Sequence, residues 1–205
     1  MTGLLLATTN PGKQSEFRRL LADLADRMVV PQELGLALNV AEPHDTYAEN
    51  ATAKAVAYCR ASGLPTIADD SGLEVAALGW GPGVRTARFA PTGAGGALDY
   101  LLAQLEGESD RRARMVCWLA VAVPGHGPDG TPRAPRVELF SGVIEGSVAA
   151  QPRGNGGFGY DPIFQLPSGR TTAELPEADK DRISHRGQAV AAALPRLHEL
   201  LADPA

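Results

Sequence analysis

Residues 4–13 read LLLATTNPGK, an apolar run followed directly by a loop of turn-forming residues. The run predicts a short buried strand, and the loop predicts a turn at its end. A helix is expected next, because apolar side chains recur from Phe17 to Leu24 at the spacing that places them on one helix face. A strand, a turn and a helix in this order are typical of an α/β fold.

Strand and helix patterns continue to alternate along the next part of the chain. Residues 28–30 predict a second strand. Thr46 is followed by Glu49 three positions later, the pattern of a capping box at the start of an Ala-rich helix that ends near Ser62. Residues 66–68 predict a further strand that delivers the sequence DDSG at its end.

The middle of the sequence predicts a loop, a helix and a hairpin. Residues 79–96 are rich in Gly and Pro and are expected to form a loop. Leucines at residues 98–105 repeat at helical spacing. Residues 115–123 and 137–144 predict two strands joined by a polar Pro/Gly-rich segment, and together these strands predict a long hairpin.

A loop and a helix are expected at the end of the chain. The loop should run from the sequence RGNGGFGYDP to about Ser184, and the helix carries apolar side chains over residues 190–201. Pro195 should kink or interrupt that helix. Together the patterns predict an α/β fold, a mixed sheet flanked by helices, in a single domain over residues 1–205.

The composition is that of an ordinary globular protein. The 205 residues are 44% hydrophobic and 21% charged, which excludes a disordered or collagen-like chain. Cys59 and Cys117 lie far apart in apolar surroundings and are expected to be reduced core thiols. The N-terminal sequence matches neither a signal peptide nor a membrane span, so a cytoplasmic protein without a membrane partner is expected. A formal net charge of -5 disfavours a nucleic-acid partner.

The first candidate site is the junction at residues 8–13. Backbone N–H groups and the positive dipole end of a helix start, together with an Asn donor and a Lys, suit a phosphate chain. The sequence does not match the Walker A pattern, because Gln14 follows Lys13 and Ala7 stands where the first Gly belongs. A capped helix start without a ligand is the alternative.

The second candidate is the pair Asp69 and Asp70 after an apolar strand, where open α/β sheets bind ligands. Adjacent carboxylates in a strand point to opposite faces, so one of them is expected to face a ligand. Mg²⁺ needs one or two carboxylates beside phosphate oxygens, and Glu42 or Glu49 could supply the second. An Asx turn stabilised by both Asp side chains is the alternative.

Two further candidates lie in the C-terminal third. The sequence GGFGYDP, residues 156–162, combines glycines, two aromatics and an acid. This combination suits a nucleotide base, which could stack on the aromatic rings while the acid recognises its polar groups. A tight turn with core aromatics is the alternative. Ser184, His185 and Arg186, preceded by Lys180, offer donors to a keto oxygen or a phosphate. A solvated basic helix end capped by Ser184 is the alternative.

Six blocks in this order closely resemble the signature blocks of the inosine/xanthosine triphosphate pyrophosphatases, enzymes that remove non-canonical purine nucleotides. The blocks are ATTNPGK, TYAENATAKA, IADDSGLEV, PGVRTARF, GGFGYDPIF and SHRGQA. The resemblance extends over about residues 4–194. It implies a Mg²⁺-dependent homodimer that cleaves the nucleoside triphosphates ITP, dITP and XTP between the α and β phosphates. It also implies an elongated mixed sheet with two lobes and an active cleft between them.

The resemblance also implies a role for each matching residue. Asp70 would be the general base and a metal ligand, and Glu42 would be the second metal ligand, although AEPHDTY departs from the family's usual Glu-rich run there. The residues that would hold the triphosphate are Thr8, Thr9, Asn10, Pro11, Gly12 and Lys13. Those that would touch the rest of the substrate are Ser71, Phe158, Gly159, Tyr160, Asp161, Lys180, His185 and Arg186, the last two by reading the base.

The chemistry of these residue types narrows the reaction. The sequence offers no covalent nucleophile with an obvious base partner, so direct attack by water is expected. Arg186 can only donate hydrogen bonds, so it suits the O6 acceptor of hypoxanthine or xanthine and opposes adenine, whose N6 is a donor. Two alternatives are a Maf-type pyrophosphatase acting on other modified nucleotides and a non-catalytic nucleotide-sensing module.

Overall fold

Strands and helices alternate over the residues that the computed structural model describes, 3–92 and 96–202. The strands within those ranges are β1 (Leu4–Leu6), β2 (Met28–Val29), β3 (Thr66–Val75), β4 (Gly81–Pro82), β5 (Arg112–His126), β6 (Pro132–Val148) and β7 (Phe164–Gln165). The α-helices there are α1 (Pro11–Leu20), α2 (Tyr47–Ser62), α3 (Ala97–Gln104), α4 (Glu177–Ile183) and α5 (His185–Leu201). No helix in this part of the chain is long and apolar enough to cross a lipid bilayer.

The strands form one mixed sheet in the order β2-β1-β3-β5-β6-β7, and β4 pairs with the end of β3. Strand β1 lies parallel to both of its neighbours, with Leu5 opposite Val29 in β2 and Thr66 in β3. Strand β4 is antiparallel to β3, and β7 is antiparallel to β6. The prediction of an α/β fold with a mixed sheet flanked by helices is confirmed.

Contacts within the chain divide it into two compact units. The first consists of the described residues of Met1–Asp70, Trp118–Ser141 and Gln188–Ala205. The second consists of those of Ser71–Cys117 and Gly142–Gly187. Strands β3, β5 and β6 therefore supply residues to both units.

Small side chains form the core beneath α2 in the first unit. Ala51 and Ala55 of α2 are fully buried and share one apolar cluster with Leu5 of β1 and Ala68 of β3. Side chains this small let the axis of a helix approach a sheet closely. The polar side chains that α2 carries beside its alanines are thereby brought near β3.

Both ends of α2 have a physical cause that the sequence contains. Thr46 Oγ1 accepts the backbone N–H of Glu49 at 3.2 Å and donates to Glu49 Oε2 at 2.7 Å. At the other end Gly63 adopts the left-handed conformation, with φ of 69°, and its N–H bonds to Cys59 O. The predicted start and end of this helix are both confirmed.

Larger side chains form the core of the second unit. Its buried members are Leu73, Val75, Leu101, Leu105, Ala113, Met115, Val148, Tyr160, Ile163, Phe164 and Leu166. The expected helix over residues 98–105 is present as α3, and the expected hairpin is present as the neighbouring strands β5 and β6. Cys59 and Cys117 are buried free thiols, as predicted.

The expectation that DDSG follows the end of a strand is wrong. Strand β3 continues through this sequence to Val75, so Asp69 and Asp70 lie inside the strand and the Asx-turn alternative is also wrong. Neighbouring strands β1, β5 and β4 pair with β3 along its length. This pairing overrides the weak strand preference of Asp, Ser and Gly, which is why local sequence did not predict it.

Two expected loops contain regular structure. The segment before Ser184 contains β7 and α4. Helix α4 has Glu177 in its first turn and Arg182 in its last turn, which suits the helix dipole, but seven residues are too few to show a periodic pattern. The Gly/Pro-rich loop over residues 79–96 contains β4 and a 3₁₀ helix at Gly83–Arg88, and its residues 93–95 lie outside the described part of the chain.

Pro195 does not interrupt the last helix. Helix α5 is continuous from His185 to Leu201 with Pro195 inside it. Val190 and Leu197 on either side of Pro195 are buried, at 2% and 0% exposure. Their burial offsets the hydrogen bond that proline cannot donate.

We expect Thr46→Ala to lower the free energy of unfolding by about 1 kcal/mol, because the Glu49 N–H loses the oxygen that caps it. Urea unfolding followed by circular dichroism measures the change. Thr131→Ala is the control, since Thr131 Oγ1 donates to Asp129 Oδ1 at 2.7 Å in an exposed turn. There the loss should stay within about 0.5 kcal/mol. Equal losses in the two variants would contradict the capping role of Thr46.

Candidate functional site

The loop before α1 is closed by its own side chains. Asn10 Oδ1 accepts the N–H of Lys13 at 3.1 Å, and Thr8 Oγ1 accepts the N–H of Asn10 at 3.2 Å. Gln14 Nε2 donates to Thr8 O at 2.8 Å. The helix start is therefore capped, as the alternative interpretation predicted. Residues 9–11 are exposed, so this end of the helix is also accessible to an anion.

Asp69 and Asp70 of β3 bond to side chains of different helices. Lys13 Nζ of α1 pairs with Asp69 Oδ2 at 2.9 Å, and Asn50 Nδ2 of α2 donates to Asp70 Oδ2 at 3.1 Å. Both residues are buried, with 1% and 7% of their surface exposed. The separate partners agree with the expectation that adjacent carboxylates in a strand point to opposite faces.

Burial raises the pKa of Asp70 above its ordinary value. The hydrogen bond from Asn50 and the positive charges of Lys54 and Lys13 lower this pKa, whereas the negative charge of Glu42 raises it. Loss of hydration outweighs the lowering contributions. An ionised carboxylate with a raised pKa is a stronger proton acceptor than an ordinary aspartate.

Lys54 joins this group from the same helix as Asn50. Its Nζ donates to Asp69 O at 3.0 Å and forms an ion pair with Glu42 Oε1. Burial lowers the pKa of Lys54, but the negative charges of Asp69, Glu42 and Asp70 raise it by more, so its pKa lies above the ordinary value. Lys54 is therefore a half-buried cation at neutral pH that holds the Glu42 side chain.

These side chains form one polar group in the first unit, which we name the carboxylate cluster. Its members are Lys13, Glu42, Asn50, Lys54, Asp69 and Asp70. Among the described residues no group of three or more His, Cys, Asp or Glu side chains could hold a metal ion. Two carboxylates are nevertheless enough for Mg²⁺, which keeps other positions for water and phosphate oxygens. The oxygen donors of Asp70 and Glu42 thus fit Mg²⁺ better than a softer metal that prefers nitrogen or sulfur.

Asp161 is the centre of a polar group in the second unit. Its Oδ2 accepts from Lys180 Nζ at 2.6 Å and from the N–H of Phe158 at 2.7 Å, and its Oδ1 accepts from Thr172 Oγ1 at 2.8 Å. At Gly157, with φ of 69°, a Cβ would lie 2.1 Å from Asp161 Oδ2, so this position requires glycine. The carboxylate of Asp161 thus stabilises the loop, and its direct contact with a substrate stays a prediction.

Phe158 and Tyr160 have different environments. The Phe158 ring is partly exposed, and two cations lie over it, with Lys180 Nζ at 5.3 Å and Arg186 Cζ at 5.6 Å from its centroid. Tyr160 belongs to the apolar core, and its hydroxyl donates to Thr86 O at 3.4 Å. Stacking of a ligand on Phe158 therefore stays a prediction, whereas Tyr160 is a core aromatic, as the alternative predicted.

The start of α5 is buried. Ser184 Oγ accepts the N–H of Gly187 at 2.9 Å, which confirms Ser184 as the N-cap. His185 and Arg186 are 8% and 2% exposed, so the interpretation as a solvated basic end is wrong. Arg186 Nη2 donates to Ser71 Oγ at 2.8 Å. We name the group of Ser71, Phe158, Asp161, Lys180 and Arg186 the aromatic cluster.

Sequence reasoning missed the contacts that Asn50 and Lys54 make with β3. The two residues lie four positions apart in TYAENATAKA, which places them on one face of α2. An amide and a cation at this spacing in an Ala-rich helix are the signal that could have found them.

Glu49, considered earlier as a metal ligand, bonds to Thr46 at the helix start. Gly159 lies exposed in its turn, with φ of 60°.

Asp70→Asn should raise the free energy of unfolding at neutral pH in metal-free buffer, because an amide carries no buried charge. The folded-state pKa of Asp70 lies above the unfolded value of about 3.9. Below the unfolded pKa, Asp70 of the wild type is protonated in both the folded and the unfolded state, so burial of its charge costs no stability. This cost develops as the pH rises from the unfolded pKa to the folded pKa, and it is complete above the folded pKa. The stability difference between variant and wild type should grow over this window. Urea unfolding at a series of pH values, with a chelator present, measures it.

Asp110→Asn is the matched control for this experiment. Arg112 holds the pKa of the exposed Asp110 at about 2, so the charge of Asp110 favours the folded state. The control variant should therefore be no more stable than wild type at neutral pH. If Asp70→Asn instead becomes less stable relative to wild type as the pH rises, burial does not dominate the pKa of Asp70.

Comparison with known proteins shows that this chain is similar to members of one family. A model of the Ham1 family matches residues 4–196. A protein named dITP/XTP pyrophosphatase from Ralstonia nicotianae is 44% identical over 203 residues, which cover 96% of this chain and 97% of that protein. Another of the same name from Symbiobacterium thermophilum is 45% identical over 205 residues, covering 98% and 97%. The solved structure of a HAM1 protein from Coxiella burnetii has a TM-score of 0.79 and 39% identity, covering 97% of this chain and 100% of that one.

The match extends over most of the chain in both sequence and structure. The resemblance carried by the six sequence blocks is confirmed, since the similar proteins are named dITP/XTP pyrophosphatases. Identity above 40% over nearly full-length relatives, together with the family match, leads to one conclusion. The chain belongs to the Ham1 family.

Proposed function

We propose that this protein hydrolyses the non-canonical purine nucleotides dITP, ITP and XTP to the monophosphate and pyrophosphate, with Mg²⁺ as cofactor. The observation that carries the proposal is the carboxylate cluster, in a chain whose relatives are named dITP/XTP pyrophosphatases. The cluster combines acids, which suit a divalent ion, with lysines, which suit phosphates. Hydrolysis of a phosphoanhydride needs both kinds of group.

The start of α1 is the proposed binding site for the triphosphate. Residues 8–13 offer backbone N–H groups and the positive end of a helix dipole, which attract an anion. Lys13 adds an ammonium group that pairs with Asp69. A triphosphate would therefore share this cation with a carboxylate already in place.

Asp70 and Glu42 are the proposed ligands of Mg²⁺. When bound, the ion would neutralise phosphate charge and lower the pKa of an attacking water. Asp70 would accept the proton of that water, which its raised pKa favours. Lys54 would hold the Glu42 side chain through their ion pair. We infer that water attacks directly, without a covalent intermediate.

The aromatic cluster is the proposed binding site for the base. The partly exposed ring of Phe158 would stack on a purine. Arg186 and Lys180, which lie over that ring, carry donors alone and suit the O6 acceptor of hypoxanthine and xanthine. The amino group of adenine would place a donor against these donors, which disfavours ATP and dATP. His185, adjacent to Arg186, is proposed to contribute to the same recognition.

The cellular setting belongs to the same proposal. The resemblance in six blocks supports a cytoplasmic homodimer that removes non-canonical nucleotides from the precursor pool. Light scattering tests the dimer, because a mass near twice the 21.4 kDa of one chain is expected.

Pyrophosphate release from dITP and XTP should exceed release from dATP by orders of magnitude, because mismatched donors leave buried polar groups unpaired. Chromatography of both products over a panel of nucleoside triphosphates measures the preference. A chelator should abolish the activity, and added Mg²⁺ should restore it. Equal rates on all purines, or release of inorganic phosphate in place of pyrophosphate, would contradict the proposal.

Asp70→Asn supplies the variant for the same assay. It should lose turnover by several powers of ten while nucleotide binding persists, because the proton acceptor and a metal ligand are both removed. Asp179→Asn is the control, since Asp179 is an exposed acid that pairs with Arg182. A non-catalytic sensor would instead show no turnover in the wild type and unchanged affinity in Asp70→Asn.

Arg186→Ala should relax the choice of base more than it slows hydrolysis, because the side chain is proposed to meet O6 and not the phosphates. The ratio of kcat/KM for dITP to kcat/KM for dATP measures the effect. Arg182→Ala, at an arginine with 75% of its side chain exposed, should leave this ratio unchanged. Lost turnover with intact selectivity would show that Arg186 acts on the phosphates.

A further inference from the structure

We propose that Asn50 is a positioning residue that fixes both the carboxylate of Asp70 and the segment that carries Glu42, so that the two acids can bind one divalent ion. The inference rests on the proposed function, because it concerns the site that the ion would occupy. Asn50 is not proposed to touch the ion or the substrate. It acts through the groups to which it is hydrogen bonded.

The side-chain amide of Asn50 bonds to two separate parts of the first unit. Its Oδ1 accepts the N–H of His44 at 3.1 Å, and its Nδ2 donates to His44 O at 3.2 Å. The same Nδ2 donates to Asp70 Oδ2 at 3.1 Å. Both N–H groups and the carbonyl of the amide are thereby used. With 0% exposure, Asn50 holds this arrangement away from solvent.

The pair of bonds to His44 fixes the orientation of the amide. A side chain that both accepts from and donates to the backbone of one residue cannot rotate without losing two hydrogen bonds. Its remaining N–H is therefore held in the direction of Asp70. A buried donor that is fixed in this way restricts the rotation of the carboxylate that accepts from it.

The same bonds tie the segment of Glu42 to α2. His44 lies two residues after Glu42, and its backbone is bonded to Asn50. One helical turn further on, Lys54 pairs with the Glu42 side chain. Two residues of α2 therefore hold both acids. Asn50 binds the backbone near Glu42 and the side chain of Asp70, and Lys54 binds the side chain of Glu42.

This arrangement predicts an effect on metal affinity. Mg²⁺ demands nearly ideal geometry, so two carboxylates bind it well only when their separation is fixed beforehand. Residues that form hydrogen bonds to metal ligands, without touching the metal themselves, typically contribute about 10- to 100-fold to metal affinity or activity. Loss of the Asn50 amide should therefore weaken metal binding even though both ligands remain.

A matched control distinguishes the proposed positioning of Asp70 from a purely structural role, in which Asn50 only anchors the segment that carries Glu42. Tyr58, also on α2, donates its hydroxyl to Leu38 O at 3.2 Å and so ties the same segment to the same helix. That bond does not involve Asp70. Tyr58→Phe removes one anchor of the segment and leaves the Asn50 amide intact.

The test compares Asn50→Leu, which keeps the number and branching of the side-chain heavy atoms but has no polar group, with Tyr58→Phe and wild type. Mn²⁺ alone is titrated and the free ion is counted by electron paramagnetic resonance, with no nucleotide present. We expect the Mn²⁺ dissociation constant to rise by about 10- to 100-fold in Asn50→Leu and to stay near the wild-type value in Tyr58→Phe. The Mg²⁺ concentration for half-maximal dITP hydrolysis should rise in parallel. Circular dichroism checks the fold of each variant.

Two outcomes would overturn the proposal. Wild-type Mn²⁺ affinity in a folded Asn50→Leu overturns it, and so does an equal loss in Tyr58→Phe, because that result assigns the effect to anchoring alone. Should Asn50→Leu not fold, Asn50→Ser replaces it, since the shorter hydroxyl cannot bridge His44 and Asp70. Failure of the wild type to release pyrophosphate from dITP would overturn the proposed function, whereas the Mn²⁺ measurement would still decide the role of Asn50.

Discussion

Two buried carboxylates at adjacent positions of one strand are the constraint on which the site depends. An ionised carboxylate without a partner is costly to bury, so each must be bonded from the surrounding elements. Lys13 reaches Asp69 from α1, and Asn50 reaches Asp70 from α2. Lys54 completes the group by bonding to the backbone of β3. The two helices that cover this part of the sheet are therefore also the elements that stabilise its charges.

The charge balance of the carboxylate cluster links this constraint to function. Glu42, Asp69 and Asp70 are three acids, whereas Lys13 and Lys54 are two cations, so the cluster carries one excess negative charge when all are ionised. Burial is the main cause of the raised pKa of Asp70, and the negative charge of Glu42 makes a smaller contribution in the same direction. A divalent cation would remove the imbalance, and it would then leave positive charge for the phosphates of a nucleotide.

The sequence predicted those parts of the fold that local chemistry determines. The helix beginning after Thr46 and the apolar strand of Leu4–Leu6 follow from capping and hydropathy, which are properties of neighbouring residues. The course of β3 through Asp70 was not predictable in this way, because strand pairing and not propensity keeps it extended. The role of Asn50 was missed for a related reason. An amide in a helix acquires a function only when the fold brings a carboxylate within hydrogen-bond distance.

Crystallography of the protein with Mn²⁺ and a slowly hydrolysed dITP analogue tests the central claim most directly, because the anomalous signal of manganese locates the ion independently of its ligands. We predict one manganese ion coordinated by the carboxylates of Asp70 and Glu42 and by phosphate oxygens, with Asn50 still donating to Asp70. An ion bound by other residues, with the Asp70 carboxylate outside its coordination sphere, would contradict the account.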